Sequence, residues 1–404
     1  MLKEIIQTGN RLIGSLLLIL LSFVIRRNRQ YVAIGSWGGE NYIDNGRYLA
    51  EYICKNRKDL KVFWVGTEHT RKEVEEKLAP FRFLKKDSVS ANLALLKCQY
   101  MFFSQMHNYD ISSYNVYRNA TLCYLHHGMP LKKWGEDGLN QMPEKESKIK
   151  ILLKRIIGNS RQYDYFVTST HKQDISFLTA LRFRGCTEDK EIHSGTPRND
   201  MYFNVKQERI EQEKNKYSSM VPFEKDQKVI MYLPTYRRTT KNFSFLQMPE
   251  DDKRKLDRVL KKHNAVILEK LHLASSDEAV PQSDSVKHIP SHFNVQELML
   301  FADVLISDYS GAFLDYLFLD RPIIHYVYDY DFYKNTDSGL YYEIDEFMSG
   351  HVCKDPDSLL AALDEVLSGE DPYQNRRQAV RNSFMEYEKG NASETIVKKV
   401  IDKS

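Results

Sequence analysis

The chain has 404 residues, 42% apolar and 28% charged, with a formal net charge of +3. This composition excludes global disorder, and so small a net charge gives no basis for a nucleic-acid partner. Five cysteines at positions 54, 98, 123, 186 and 353, with no CxxC among them, exclude a disulfide framework or zinc ribbon and fit a reducing compartment.

At roughly 100–200 residues per domain, the length predicts two domains. The first predicted element is apolar. Leu12–Ile25 reads LIGSLLLILLSFVI, with Arg11 before it and Arg26, Arg27 and Arg29 after it. The run is shorter than the ~20 residues a spanning helix needs, and it ends in arginines rather than a small-residue cleavage site. Residues 1–29 therefore read as a membrane-associating helix lying in the interface. A true span and a buried or partner-facing helix are the alternatives. The basic flank places the remainder on the cytoplasmic side, at the inner membrane surface.

Strand-like and helix-like segments then alternate. Strands are predicted at Tyr31–Gly35, Lys61–Gly66, Tyr100–Ser104, Leu122–Leu125 and Tyr165–Ser169, with helices at Tyr42–Cys54, Arg71–Leu78, Ser88–Lys97 and after His171. Lys148–Arg161 is a basic amphipathic helix, read either as a second membrane contact or as a crossover helix on the sheet. Gln207–Tyr217 is a charged helix, and a polar stretch after it sets the domain boundary near 215. The pattern restarts with strands at Val229–Leu233, Ala265–Leu271, Val304–Ser307 and Ile323–Tyr326. Helices follow at Asp251–His263, Val295–Phe301, Ala312–Leu319, Leu359–Leu367 and Gln374–Glu388. The fold class is α/β, with two doubly wound parallel-sheet units and a ligand cleft at the carboxyl ends of their strands.

Five segments at predicted strand ends carry chemistry. Leu125–Lys132 (LHHGMPLK) offers a proton acceptor in His127, a close backbone approach at Gly128 and a cation in Lys132. The alternative is two histidines satisfied by backbone carbonyls. Ser194–Asp200 (SGTPRND) presents Arg198 for a bidentate grip on phosphate or carboxylate, or for an interdomain salt bridge. Tyr232–Arg238 (YLPTYRR) presents Arg237 and Arg238 to the cleft, or is an ordinary turn. Lys270 and His272 share one side of a strand end, as a pyrophosphate would require, or are a surface lysine beside a partly buried histidine. Ala302–Tyr316 (ADVLISDYSGAFLDY) runs from a buried strand into a helix with Ser310 as N-cap. Such a helix start attracts phosphate, with Ser307 and Ser310 as hydroxyl donors. No P-loop and no GxGxxG after a strand is present.

In order and wording these segments resemble the CDP-glycerol glycerophosphotransferases of teichoic-acid and capsule synthesis. The matches are His127–Lys132, Gly195–Asp200, Tyr232–Arg237, Lys270–His272 and Ser307–Asp315, with Pro322–Asp329 after them and a fainter resemblance around Gly39–Tyr48. Met129 stands where the family has Thr, Gly311 where it has a second Ser, Ser307 where it has Thr, and Leu273 where Pro is common.

The resemblance implies a GT-B-type architecture of two Rossmann-like domains with an interdomain cleft: an acceptor domain at 30–214 and a nucleotide-donor domain at 215–404. It implies attack of an acceptor hydroxyl on the phosphorus bearing the polyol, with CMP as leaving group. His127 is the expected base and His272 the second catalytic histidine. Arg237, Arg238, Lys270, Ser307, Asp308, Ser310, Gly311 and Asp315 are the expected donor-binding set, with Asp315 either touching the ribose or orienting the loop. Gly128, Lys132 and Arg198 are expected on the acceptor side. The expected partners are a CDP-activated polyol and a lipid-linked or oligosaccharide acceptor. No tightly bound cofactor is implied, beyond a diffusible Mg²⁺ on the diphosphate. A nucleotide-sugar glycosyltransferase and a non-catalytic assembly partner are the rival readings.

Overall fold

In a computed structural model, the described residues are 2–77, 82–138, 148–235, 237, 243–270, 283–290, 292–336 and 339–403. They form two all-parallel sheets. The first has seven strands, β1 (Asn28–Gly35), β2 (Lys61–Gly66), β3 (Arg82–Lys85), β4 (Cys98–Phe103), β5 (Thr121–Tyr124), β6 (Tyr165–Thr168) and β7 (Glu191–His193), in the order β3-β2-β1-β4-β5-β6-β7. The second has six, β8 (Lys228–Leu233), β9 (Ala265–Glu269), β10 (Val286–His288), β11 (Val304–Ser307), β12 (Ile323–Tyr326) and β13 (His351–Cys353), in the order β10-β9-β8-β11-β12-β13.

Alternation along the strands explains why both sheets are covered on two faces. In β1, Ala33 enters one apolar cluster while Val32 and Ile34 enter the other. In β8, Val229, Met231 and Leu233 pack on one face while Ile230 and Tyr232 pack on the opposite one. Burial on both faces is what makes these strands near-continuous apolar runs. Each sheet reverses its winding once, between β1 and β4 in the first and between β8 and β11 in the second. Ligands of doubly wound sheets sit at such switch points, outside the carboxyl ends of the strands.

The N-terminal helix spans Leu2–Leu21, starting ten residues before the apolar run. Ser15 and Leu18 are buried; the Ser15 hydroxyl accepts from the Asn115 amide at 3.1 Å, and Gly14 packs on the Tyr114 ring. Ile13, Leu17, Leu20, Phe23 and Val24 remain exposed. Among the described residues no helix is long and apolar enough to cross a membrane.

The chain end departs from simple tandem order. The helix Ala392–Val397 and the turn after it insert Ile396, Val397, Val400 and Ile401 into the core of the first sheet, not the second. Asp200 caps this helix by accepting from the amides of Ala392 (2.8 Å) and Ser393 (2.9 Å). A second tie joins the sheets' helices: Arg47, on the helix Asp44–Asn56, meets Glu297, on the helix Val295–Phe301, at 2.6 Å, and the Tyr217 hydroxyl donates to the same carboxylate at 2.8 Å.

Candidate active site

The loops after β1 and β5 face those after β8, β9 and β11 across a cleft of about 420 Å³. Its lining includes Trp37, Asp44, His127, Met129, Lys132 and Arg198 from the first half, and Thr235, Lys270, Ser310 and Gly311 from the second. Predicted residues Gly128, Lys132, Arg198, Lys270, Ser310 and Gly311 thus converge with His127. His272 and Arg238 lie outside the described residues.

His127 follows β5. Its Nδ1 faces the Ser104 carbonyl at 3.4 Å; a carbonyl only accepts, so Nδ1 carries the proton and Nε2 keeps the lone pair. Burial pushes its pKa below the usual value, as does nearby Arg198, while Asp44 and the Ser104 carbonyl oppose the shift. The imidazole is therefore neutral and competent to take a proton at pH 7. His126 has a framework role: buried, at φ +56°, it packs against Trp134 (ring centroids 5.2 Å apart) and Phe177 (4.8 Å). Burial drives its pKa far down.

Arg198 forms the interdomain salt bridge that the sequence left open beside a phosphate grip. Its Nη1 donates to Asp44 Oδ1 (2.8 Å) and to the His127 carbonyl (2.7 Å), while Nη2 lies 2.8 Å from Asp315 Oδ2. It is a buried bridge between the two halves, and its guanidinium is committed to two carboxylates. Gly128, at φ +119°, makes room for it, since a Cβ there would collide with the guanidinium. Asp315 is likewise withdrawn from a ribose contact: it is buried, with Arg198 as its charge partner, and burial raises its pKa. The turn carrying Arg198 is clamped by Glu388. Its Oε1 accepts from Ser169 Oγ (2.9 Å), the Thr196 amide (2.9 Å) and Asn199 Nδ2 (3.0 Å). Burial pushes the Glu388 carboxyl up to about 7.

The donor half shows a similar pattern. Arg237 donates to Asp308 Oδ2 (2.8 Å) and to Asp329 (2.8 Å from Nε). Burial alone would lower its pKa; Asp308 and Asp329 more than reverse that. Asp308 also accepts from the Thr235 amide at 2.8 Å, joining the loops after β8 and β11. Ser307 is buried, its hydroxyl donating to the Leu233 carbonyl at 2.9 Å. Arg237, Asp308 and Ser307 thus find their partners within the rim itself. Ser310 does line the cleft; its Oγ accepts weakly from the Ala312 amide at 3.4 Å, and the N-cap position falls on Gly311. The helix there, Ala312–Tyr316, is five residues long and passes into a 3-10 turn.

Three residues of the site were not expected from the sequence. Asp44, at φ +66°, bonds Arg198 and the Trp37 indole. Asn45 donates to the His126 carbonyl (2.8 Å) and accepts from the Arg198 amide (3.1 Å), joining both motifs of the first half. Asp110 accepts from the amides of Gly38 (2.8 Å), Ser104 (2.9 Å) and Gln105 (2.7 Å). Asp44 and Asn45 start a helix, where Asp and Asn are common caps, and the faint resemblance around Gly39–Tyr48 singled out neither. Among the described residues, the grouping of side chains close enough to share a metal ion is Asp174, Glu191 and His193, and none of them lines the cleft.

Two facing parallel sheets with a cleft at both switch points define a GT-B-type α/β protein. The chain belongs to the CDP-glycerol:poly(glycerophosphate) glycerophosphotransferase family, whose sequence pattern matches residues 17–402. It is similar to a teichoic acid poly(glycerol phosphate) polymerase of Bacillus spizizenii, 24% identical over 96% of this chain and 97% of the relative. It is also similar to a teichoic acid glycerol-phosphate transferase of Staphylococcus aureus, 26% identical over 93% of each chain. The wall teichoic acid polymerase TagF, in a variant soaked with CDPG, superposes with a TM-score of 0.71 at 25% identity, covering 93% of this chain and 89% of that one.

Proposed function

We propose that the protein transfers glycerol phosphate from CDP-glycerol to a hydroxyl of a membrane-associated teichoic-acid-like acceptor. The observation that carries this reading is a neutral His127, with Nε2 available, held in a cleft whose opposite wall is Lys270, Ser310 and Gly311. The acceptor oxygen forms a bond to the phosphorus bearing glycerol, and the bond from that phosphorus to the bridging oxygen breaks. CMP leaves with the electron pair, and the acceptor proton passes to His127 Nε2. Lys270 offsets charge on the departing phosphate, and in-line placement between the halves supplies the orientation. Family membership across the chain supports the donor class.

The test is CMP release from CDP-glycerol with a lipid-linked glycan acceptor, with product mass increasing by one glycerol phosphate per turnover. CMP release only from another CDP-polyol, or sugar transfer from a nucleotide sugar, would replace the reading.

The same proposal places the enzyme on the inner membrane surface. The exposed flank of the N-terminal helix and the turn after it, with Ile13, Leu17, Leu20, Phe23 and Val24, lies beside the exposed Arg26 and Arg29. Apolar side chains next to cations suit the headgroup boundary of an anionic bilayer. Sedimentation with phosphatidylglycerol vesicles, reduced by Leu17→Glu with Leu20→Glu, tests it.

A further inference from the structure

We propose that Asp174, Glu191 and His193 form a binding site for a divalent transition-metal ion, zinc in the first place, at the edge of the first sheet and outside the cleft. The site is independent of the transfer reading. Glu191 and His193 begin and end β7, the edge strand, and alternation along a strand turns both to one side. Asp174 comes from the first turn of the helix His171–Ala180, which joins β6 to β7.

The spacing suits an ion. His193 Nε2 lies 3.0 Å from Glu191 Oε2 and 3.3 Å from Asp174 Oδ2, and one donor atom from each residue falls within 4.8 Å of the others. Ligand atoms about 2.0–2.1 Å from a tetrahedral zinc stand about 3.3 Å from one another. The exposed His171, whose Nδ1 is 3.6 Å from Asp174 Oδ2, or a water takes the fourth position.

Charge and hydrogen bonding ask for a cation. The Asp174 and Glu191 side chains are only 5% and 6% exposed. Among the described residues neither carboxylate pairs with a lysine or arginine; their ion-pair partners are His193 and, for Asp174, His171. One proton on Nε2 cannot serve two carboxylates. Asp174 Oδ1 and Glu191 Oε1 are buried and have no hydrogen-bond partner among the described residues. Desolvated carboxylate oxygens with idle lone pairs are costly, and a shared metal ion satisfies them together. The surroundings already orient the donors. The Tyr387 hydroxyl donates to Asp174 Oδ2 at 3.0 Å, and its ring stacks on the His193 imidazole with centroids 4.4 Å apart. Such outer contacts fix metal ligands in place. A nitrogen donor beside two carboxylates favours zinc and its transition-metal neighbours over magnesium, which takes oxygen ligands.

An ion here is a structural staple. Tyr387 precedes Glu388, which clamps the turn carrying Arg198. The ion therefore pins the returning C-terminal segment to the first sheet through the residues that Tyr387 already touches.

The test strips the full chain with EDTA and titrates it with zinc chloride, with magnesium chloride in a parallel arm. Calorimetry and native mass spectrometry should show one zinc per chain with a micromolar or tighter Kd. The melting temperature should rise on the order of 5 °C at a hundredfold excess over Kd, and magnesium at the same concentration should leave it unchanged. His193→Ala should weaken zinc binding at least tenfold; if it does not fold, His193→Gln keeps the volume and removes the imidazole. Glu191→Gln should abolish the zinc response while its metal-free form melts no lower than the wild type, because one of two crowded anions is gone. An ordinary ion pair would lose stability in the metal-free state instead. His127→Ala should retain the full response, which separates this site from the histidines of the cleft. The proposal is overturned if zinc binds more weakly than micromolar, if binding survives the His193 and Glu191 substitutions, if His127→Ala removes it, if metal-free Glu191→Gln melts lower than the wild type, or if magnesium binds equally well.

Discussion

The two rims of the cleft use their polar residues differently. On the first, His127 faces the cleft amid left-handed backbone at positions 37, 44 and 126, above the paired Arg198 and Asp44. On the second, Arg237, Asp308 and Asp329 turn inward and satisfy one another. Residues equally prominent in the sequence thus do opposite work. A buried charge left unpaired costs far more than a paired one, so charged motif residues at a rim tend to come as sets that complete each other. Substitution of His127 should therefore cost rate at little cost in stability, and substitution of Arg237 the reverse.

The largest expected effect breaks or upholds the first half of that contrast. His127→Ala removes the proton acceptor and should lower kcat about 10²–10⁴-fold, the usual worth of a positioned base. Its CDP-induced melting shift should match the wild type. A variant that loses folding stability instead of rate would put His127 with the framework. Arg237→Ala tests the other half. It leaves Asp308 and Asp329 without their cation, and breaking a buried pair costs about 3–5 kcal/mol. Urea unfolding should show a loss of that order, and Arg237→Lys should recover only part of it, because one ammonium cannot span both carboxylates.

The interior of each sheet was legible in the sequence and the edges were not. Lys61–Gly66 and Val304–Ser307 match their strands residue for residue, because central strands buried on both faces are unbroken apolar runs. The strands that sequence periodicity missed, Arg82–Lys85, Glu191–His193, Val286–His288 and His351–Cys353, are the outer strands of the two sheets. Each has three or four residues and one neighbour, too little burial to leave a pattern. The site was legible as a set of strand ends, but not in its pairing. Arg198 as salt bridge or phosphate ligand was a choice between partners, and its partners, Asp44 and Asp315, lie 154 and 117 positions away. The helix Ala392–Val397 reaches the first sheet for the same kind of reason: its cap, Asp200, is a tertiary partner that nothing local announces.

A smaller effect concerns two of the four places where the sequence leaves its family's pattern, Met129 and Gly311, which turn out to be neighbours. A Cβ on Gly311 would lie 2.6 Å from the Met129 carbonyl oxygen, across the cleft. A serine there needs one rim to withdraw by several tenths of an ångström, at a cost of about 1–3 kcal/mol. Gly311→Ser should therefore raise the KM for CDP-glycerol more than it lowers kcat, and a change confined to kcat would show that the rims do not meet here during turnover.

The smallest effect is a displacement along the pH axis. Because burial and Arg198 depress the His127 pKa, the acidic limb of kcat/KM should fall below the pH of an ordinary histidine, near 6.5. The sign follows from the proton balance: a base works deprotonated, and a lowered pKa keeps it so further into acid. Asp44 acts against that shift, favouring the protonated ring. Asp44→Asn removes the opposing carboxylate and leaves the Arg198 cation, so the limb should move further toward acid. A limb that moves toward neutral pH would mean that Arg198 had swung off the ring together with its lost partner. The first rim would then be held by the ion pair rather than by the strained backbone beneath it.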